Sequence, residues 1–339
     1  MSFCFVLILV SCTNNRLDVD VSSINVNLEV NRMEKDMFEA DRYKLKELNQ
    51  QWKAKYGLLY ESFLYDMTNM GLVDDSLTPV RLEMFLNHKD MKECYEQIDS
   101  VFNDFSPYKN KFEDAFKHVK FYFPEKETPS LTTFFSSFQA KAFPTKDNIG
   151  IGLDLYLGPN NKITQMLPPE FYPAYLKSKM DKEFLVSDVM KHWVYYTFSD
   201  PKEYANFSIY TIKDDLLTTM IHHGTMLYTL EALMPQEKPE IKFNYTPEKH
   251  KWCLANERFV YQYLVENSLI YTKNYKDISK FVQDGPFTTG LSDESPSMIG
   301  MFMGYRMVKQ YMDKHPEFTI QELVAGKVSP KEVLSGYKI

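Results

Sequence analysis

Asp214 to Pro235, DDLLTTMIHHGTMLYTLEALMP, reads as one long helix. Leu216, Met220, His223, Leu227 and Leu230 recur at steps of three and four, which places them on one stripe of a helical period. Pro235 stops the helix, since proline cannot donate the next backbone hydrogen bond. Two adjacent histidines and Gly224 interrupt an otherwise apolar pattern. The strongest helical signal of the chain therefore carries its most conspicuous titratable pair.

The pair does not read as a metal site. His223 shares the apolar stripe, whereas His222 belongs to the face of Thr218, Thr225 and Thr229, so the rings point about 100° apart. A zinc-protease helix needs His-Glu-x-x-His, with two histidines one turn apart and a glutamate as base. Here Met226 stands four residues after His222, and Gly224 follows the pair where an acid would be needed. His192 is the other histidine on an apolar stripe, with Leu185, Val189 and Tyr196. His192 and His223 are the residues a metal would use, but no partner ligands share their spacing. Zinc is therefore not expected, nor is any other cofactor. His88, His118, His250 and His315 lie in charged surroundings and read as surface residues. Gly-x-Ser-x-Gly and a phosphate-cradling glycine-rich loop are both missing from the sequence, so no catalytic residue is assigned and a non-enzyme is expected.

Outward from this helix the chain divides into helical and strand-like stretches. Asp18 to Met33 alternates Ile24, Val26, Leu28 and Val30 with polar residues, the period of a half-buried strand. Asp36 to Lys55 is helical, Gly57 interrupts it, and the helix resumed over 58–70 ends at Gly71 as a C-cap. Thr78-Pro79 starts the next helix, with proline at a first-turn position. A helix over 90–105 is broken by Pro107, and a short one follows over 108–116. His118 to Phe123, Leu131 to Phe138 and Asn148 to Leu157 have strand character. With the N-terminal strand they make a sheet of about four strands. Helices follow over 181–198, over 214–234, from Thr246-Pro247 to about Asn267, and from Ser295-Pro296 to Lys314; residues 204–212 are ambiguous, and 284–294 form a loop. The expected architecture is a single α+β domain, helix-dominated around a small sheet.

Composition bounds the function. The 339 residues are 44% hydrophobic and 15% aromatic, enough for a substantial core, and the net charge is −7. No basic run exists to bind nucleic acid. Phe3 to Val10 is apolar but too short to span a bilayer as a helix. It ends in Leu9-Val10-Ser11-Cys12, which resembles the bacterial lipobox, although no Lys or Arg precedes it. Cys12 is thus the expected lipidation site, with residues 1–11 as a signal peptide, 12–22 as a tether and 23–339 as the domain. Cys94 and Cys253 sit in different apolar helical patterns and are expected to be buried free thiols.

Gly300-x-x-x-Gly304 puts two glycines on one helix face, permitting close helix packing, and Met298, Met301, Met303, Met307 and Met312 read as core filler. Asp154, Tyr156, His222 and Tyr305 complete the residues expected in a pocket or core.

As a set, several motifs resemble the gliding-motility lipoprotein GldB family of Bacteroidota. They are the lipobox at Cys12, the stretch Asp154-Leu155-Tyr156-Leu157-Gly158 and the helix Met220-Ile221-x-x-Gly224-x-x-Leu227-Tyr228 with its Leu233-Met234-Pro235 stop. Asp284-Gly285-Pro286-Phe287-Thr288 and the helix from Ser295-Pro296 to Tyr311-Met312, with Gly300, Gly304 and Tyr305, complete the set. The resemblance implies an acylated, periplasm-facing envelope protein linked to gliding and type IX secretion. Its partners would be the membrane, through the lipid (a palmitate-type anchor) on Cys12, and envelope proteins, with no small-molecule ligand. It also implies a distant likeness to zincin metallopeptidases. In those, the helix over 185–198 would carry His-Glu-x-x-His, and His223-Gly224 would stand where Glu-Gly supplies the third ligand; both motifs are broken here. The leading expectation is a non-catalytic, partner-binding lipoprotein. The alternative is a zincin-like hydrolase with a degenerate site. A pocket-binding protein is a third reading, to be raised only by a sizeable polar-lined cavity.

Overall fold

The computed structural model describes residues 16–200 and 209–339. Cys12, the signal-peptide stretch and part of the ambiguous 204–212 segment lie outside the described residues.

The fold is α+β, helix-rich around one small sheet. Strand β1 (Val30–Arg32) leads into helices α1 (Met33–Phe38), α2 (Leu45–Tyr56) and α3 (Leu58–Ser62), then α4 (Thr78–Asn87), α5 (Lys89–Phe102) and α6 (Ser106–Tyr122). Strands β2 (Ser130–Phe134), β3 (Ala142–Pro144) and β4 (Asn148–Gly152) follow. Short helices α7 (Lys162–Met166) and α8 (Ala174–Lys177) precede the long α9 (Leu185–Phe198) and α10 (Leu216–Leu233). The chain finishes with α11 (Pro239–Phe243), α12 (Pro247–Glu266), α13 (Tyr275–Val282), α14 (Ile299–Lys314), α15 (Ile320–Val324) and α16 (Pro330–Gly336).

The sheet has four strands in the order β1-β2-β4-β3, as many as expected but not the expected set. β2 pairs in parallel with β1 and β4, with Leu131 opposite Ile149, and β3 runs antiparallel to β4. The N-terminal strand is confined to three residues. His118 to Phe123 is not a strand: His118 to Tyr122 is the last part of α6, whose Phe112, Ala115, Phe116 and Val119 are buried at helical spacing. Pro107 does not break a helix there. It sits in the first turn of α6, where its missing N–H costs no hydrogen bond. The place of that strand is taken by β3, an edge strand that tolerates Pro144.

The third expected strand is also shorter. It ends at Gly152, and Leu153–Tyr156 turn as a 3-10 helix. Asp154 is the cause: its buried carboxylate accepts the amides of Ser136 and Phe138 at 2.8 and 2.5 Å, and the Ser136 hydroxyl at 2.9 Å. These bonds clamp the β2–β3 loop over the turn. Gly152 permits it, since a Cβ there would stand 2.0 Å from the Ala140 carbonyl oxygen.

α10 is the central element, against α9 on one side and α14 on the other. Only Thr218 and His222 along it are not buried. Its start is fixed by Asp215, whose side chain accepts the Thr218 amide. α9 is buried from Leu185 to Tyr195 and packs on β3. Part of the expected tether lies against this body: Leu17 is buried, and the Arg16 guanidinium donates to the carbonyls of Met312 and Phe318. Cys94 and Cys253 are free and buried, as expected. Among the described residues no helix is long and apolar enough to cross a membrane.

Candidate functional site

α9 is apolar except for one stripe. Asp188, Lys191 and His192 stand three and four residues apart, so one helix face presents all three. That face opens on a cavity of about 260 Å³. The β2–β3 loop brings Lys141 to it, the 3-10 turn brings Leu155, and α11 with its C-cap brings Lys242, Asn244 and Tyr245. Lys179, Asp284, Met298 and Met301 close further sides.

Asp188 is the hub. Lys141 Nζ lies 2.6 Å from its Oδ2 and Lys191 Nζ 3.4 Å from its Oδ1. Asn244 donates its amide to Oδ1 at 2.5 Å and takes the Lys191 ammonium on its own oxygen. Asn244 can do so because it sits at φ 56°, a left-handed position that asparagine tolerates. Burial by itself would raise the Asp188 pKa, but the two ammonium groups hold it well below the usual carboxylate range. Burial pushes Lys191 down to about 8 against the pull of Asp188. Burial also lowers His192 to about 4, so the ring is neutral near pH 7.

Of the other anticipated residues, Tyr156 joins this hub and the rest form separate groups. His223 is fully buried with both ring nitrogens engaged, Nδ1 with the Tyr195 hydroxyl at 2.6 Å and Nε2 with the Thr211 carbonyl at 2.8 Å. The carbonyl can only accept, so Nε2 carries the proton and Nδ1 accepts from Tyr195. Burial lowers this ring to about 4. His222 points elsewhere, half-buried, with Ser199 Oγ at 3.5 Å, and burial followed by the charge of His223 lowers it to about 2. Tyr156 meets the hub, its hydroxyl 3.5 Å from Asp188 Oδ2 and its ring 5.5 Å from the Lys141 ammonium. Tyr305 donates to Glu231 at 2.6 Å. Asp154 lies apart, in the clamp described above. His118, expected at the surface, is buried, with Nδ1 2.9 Å from the Asp114 carbonyl.

The zinc set implied by the zincin likeness does not fit these residues. His223 has no nitrogen left for a metal, and Asp188 already carries two ammonium groups that would repel a dication. Among the described residues no group of three or more His, Cys, Asp or Glu is arranged to hold a metal.

Comparison with known proteins places the chain. The model of the family described as gliding motility protein GldB matches residues 14–339. The chain belongs to the GldB family. For this GldB-family chain no curated protein matches, and no solved structure matches either, so the zincin likeness gains no support from a known fold. Membership gives a gliding-motility-related protein of a lipoprotein family, in the context of the cell envelope.

The residues that sequence reasoning missed are Asp188, Lys191, Lys141, Asn244, Lys179 and Asp284. The first two left a readable mark as a polar stripe on an otherwise apolar helix, and Asp284 stood in a motif of the family resemblance without being assigned to a site. Lys141 and Asn244 reach Asp188 from 47 and 56 residues away in sequence, which no local pattern encodes.

Proposed function

We propose that this GldB-family chain is a lipid-anchored, non-catalytic envelope protein that binds protein partners of a gliding-type machinery. The observation that carries the non-catalytic part is the saturation of His223. A general base or ligand needs a ring nitrogen free to take a proton or a metal, and both are tied to Tyr195 and Thr211. Asp188 is likewise occupied by two ammonium groups and an amide, an arrangement that fixes a charge in place rather than leaving a carboxylate to act on a substrate. The anchor rests on the lipobox at Cys12 and on family membership.

The test is complementation of a deletion strain in the source organism. A variant with His192→Asn, His222→Asn and His223→Gln, shown to be folded by circular dichroism, is expected to restore the wild-type phenotype. Failure of the folded triple variant overturns the non-catalytic reading. Cys12→Ser is expected to leave the membrane fraction for the soluble one, and its retention in membranes overturns the lipid anchor.

A further inference from the structure

Among the described residues, the cavity beneath α9 gathers four ammonium groups against three carboxylates. Lys179 is matched by Asp284 at 2.5 Å, and Lys242 by Glu231 at 3.9 Å. Lys141 and Lys191 are left to share the single carboxylate of Asp188. Burial keeps His192 neutral and so adds no charge. Among the described residues the cluster therefore carries one ammonium in excess. Lys191 is nearly inaccessible, its side chain 7% exposed, while Lys141 at 26% keeps contact with solvent. Two ammonium groups that share one carboxylate, one of them nearly buried, leave charge only partly neutralised, and that is costly away from bulk water. Most of the remaining wall is apolar or aromatic, including Leu155, Met180, Ile209, Tyr245 and Met298. Met298 is held at φ 56°, a conformation methionine rarely adopts. Such strain collects at ligand sites, where the surrounding structure enforces it.

We propose that this cavity binds a small organic monoanion, a carboxylate head met by Lys141 and Lys191 on a short apolar body lying against Leu155, Met180 and Tyr245. The one positive charge left over among the described residues calls for one negative charge, which favours a carboxylate over a phosphate monoester, whose charge near pH 7 approaches two. At about 260 Å³ the space falls below the roughly 300–1,000 Å³ typical of drug-sized ligand sites, so the ligand is small. Such a ligand is distinct from the protein partners proposed above.

The experiment is calorimetry and thermal unfolding of the purified full chain with hexanoate, set against hexanol, hexylammonium, acetate and inorganic phosphate. Hexanoate is expected to bind saturably at one site per chain and to raise Tm, with each of the other four at least tenfold weaker. Lys141→Met, at a partly exposed position, is expected to fold normally and to weaken hexanoate at least tenfold. Asp188→Asn, which removes the competing carboxylate, is expected to tighten it wherever that variant folds. Hexanol equal to hexanoate overturns the charged head, and acetate equal to hexanoate overturns the apolar body. Phosphate equal to hexanoate overturns the monoanion. No binding by wild type, or binding unchanged in Lys141→Met, overturns the site.

Discussion

Gly224 of α10 and Gly304 of α14 meet backbone to backbone. A Cβ on Gly224 would stand 2.3 Å from the carbonyl carbon of Gly304, and one on Gly304 would stand 1.7 Å from the carbonyl oxygen of Met220. Neither neighbour is a flexible side-chain end, so relief requires the helices to move apart. Gly304→Ala is therefore expected to destabilise the protein by about 3 kcal/mol or more, at the upper end of overpacking costs. Gly300 makes a separate contact, its Cβ position 2.8 Å from the Phe281 carbonyl oxygen on α13, so the two glycines of one helix face serve two neighbours. Urea unfolding measures the change, and a loss under 1 kcal/mol for Gly304→Ala would show that the helices separate easily.

The clamp at Asp154 gives a second expectation. Asp154→Asn keeps the shape but turns one acceptor into a donor facing the amides of Ser136 or Phe138. A buried unsatisfied amide costs roughly 1–3 kcal/mol. The loss should be local as well as global, because the β2–β3 loop carries Lys141. Hydrogen exchange at the Phe138 and Ala140 amides should quicken in Asp154→Asn. Protection equal to wild type would mean the loop is held by other contacts.

Stability should fall on acidification. His192 and His223 are lowered to about 4 and His222 to about 2, against an unfolded value of 6.5. Between those values the unfolded chain binds protons that the folded chain refuses, so stability is complete above about pH 6.5 and drains away below it. Each pH unit in that window is worth roughly 1.4 kcal/mol per histidine. Asp154 works the other way, since burial raises it to about 6 and the folded state takes up its proton first between 3.8 and 6. Burial raises Glu34 as well, in the same direction as Asp154; three histidines stand against these two carboxyls, and the net change from pH 7 to pH 5 is a loss of stability. His223→Gln should make the pH dependence of urea unfolding shallower. A stability that stays level or rises between pH 7 and pH 5 would contradict the assigned burial of these rings.

Legibility of the fold followed the range of the signal. α10 was readable because one apolar stripe and a proline stop agree within a single stretch, and the Asp215 cap found in the structure fits both. The Cys94 and Cys253 thiols were readable for the same local reason. Residues 118–122 misled because Val, Phe and Tyr favour strands by composition, while the helical period becomes visible only when Pro107 is taken as a helix start. β3 has three residues and one is proline, too little for any pattern. The site was hardest of all. Sequence drew attention to the adjacent histidines, yet the charged cluster gathers around Asp188, whose partners come from the β2–β3 loop and the cap of α11. His223, the more eye-catching residue, is a structural ring tied at both nitrogens.

The two cysteines of the domain offer a final measurement. Burial raises the Cys94 thiol to about 12, with the charge of Asp154 adding to it, and it raises Cys253 further still. The thiolate is the reactive form, and at pH 8 almost none exists at either position. The two thiols are free and stand on different helices, α5 and α12. Iodoacetamide at pH 8 should leave the peptides carrying Cys94 and Cys253 unlabelled in native protein and should modify both once urea unfolds the chain. Because labelling then requires opening, its rate in native protein reports local unfolding at α5 and α12. Rapid modification of Cys94 in native protein would show that α5 opens far more readily than its buried face implies, and a disulfide-linked peptide pair in native protein would contradict the free state of the two thiols.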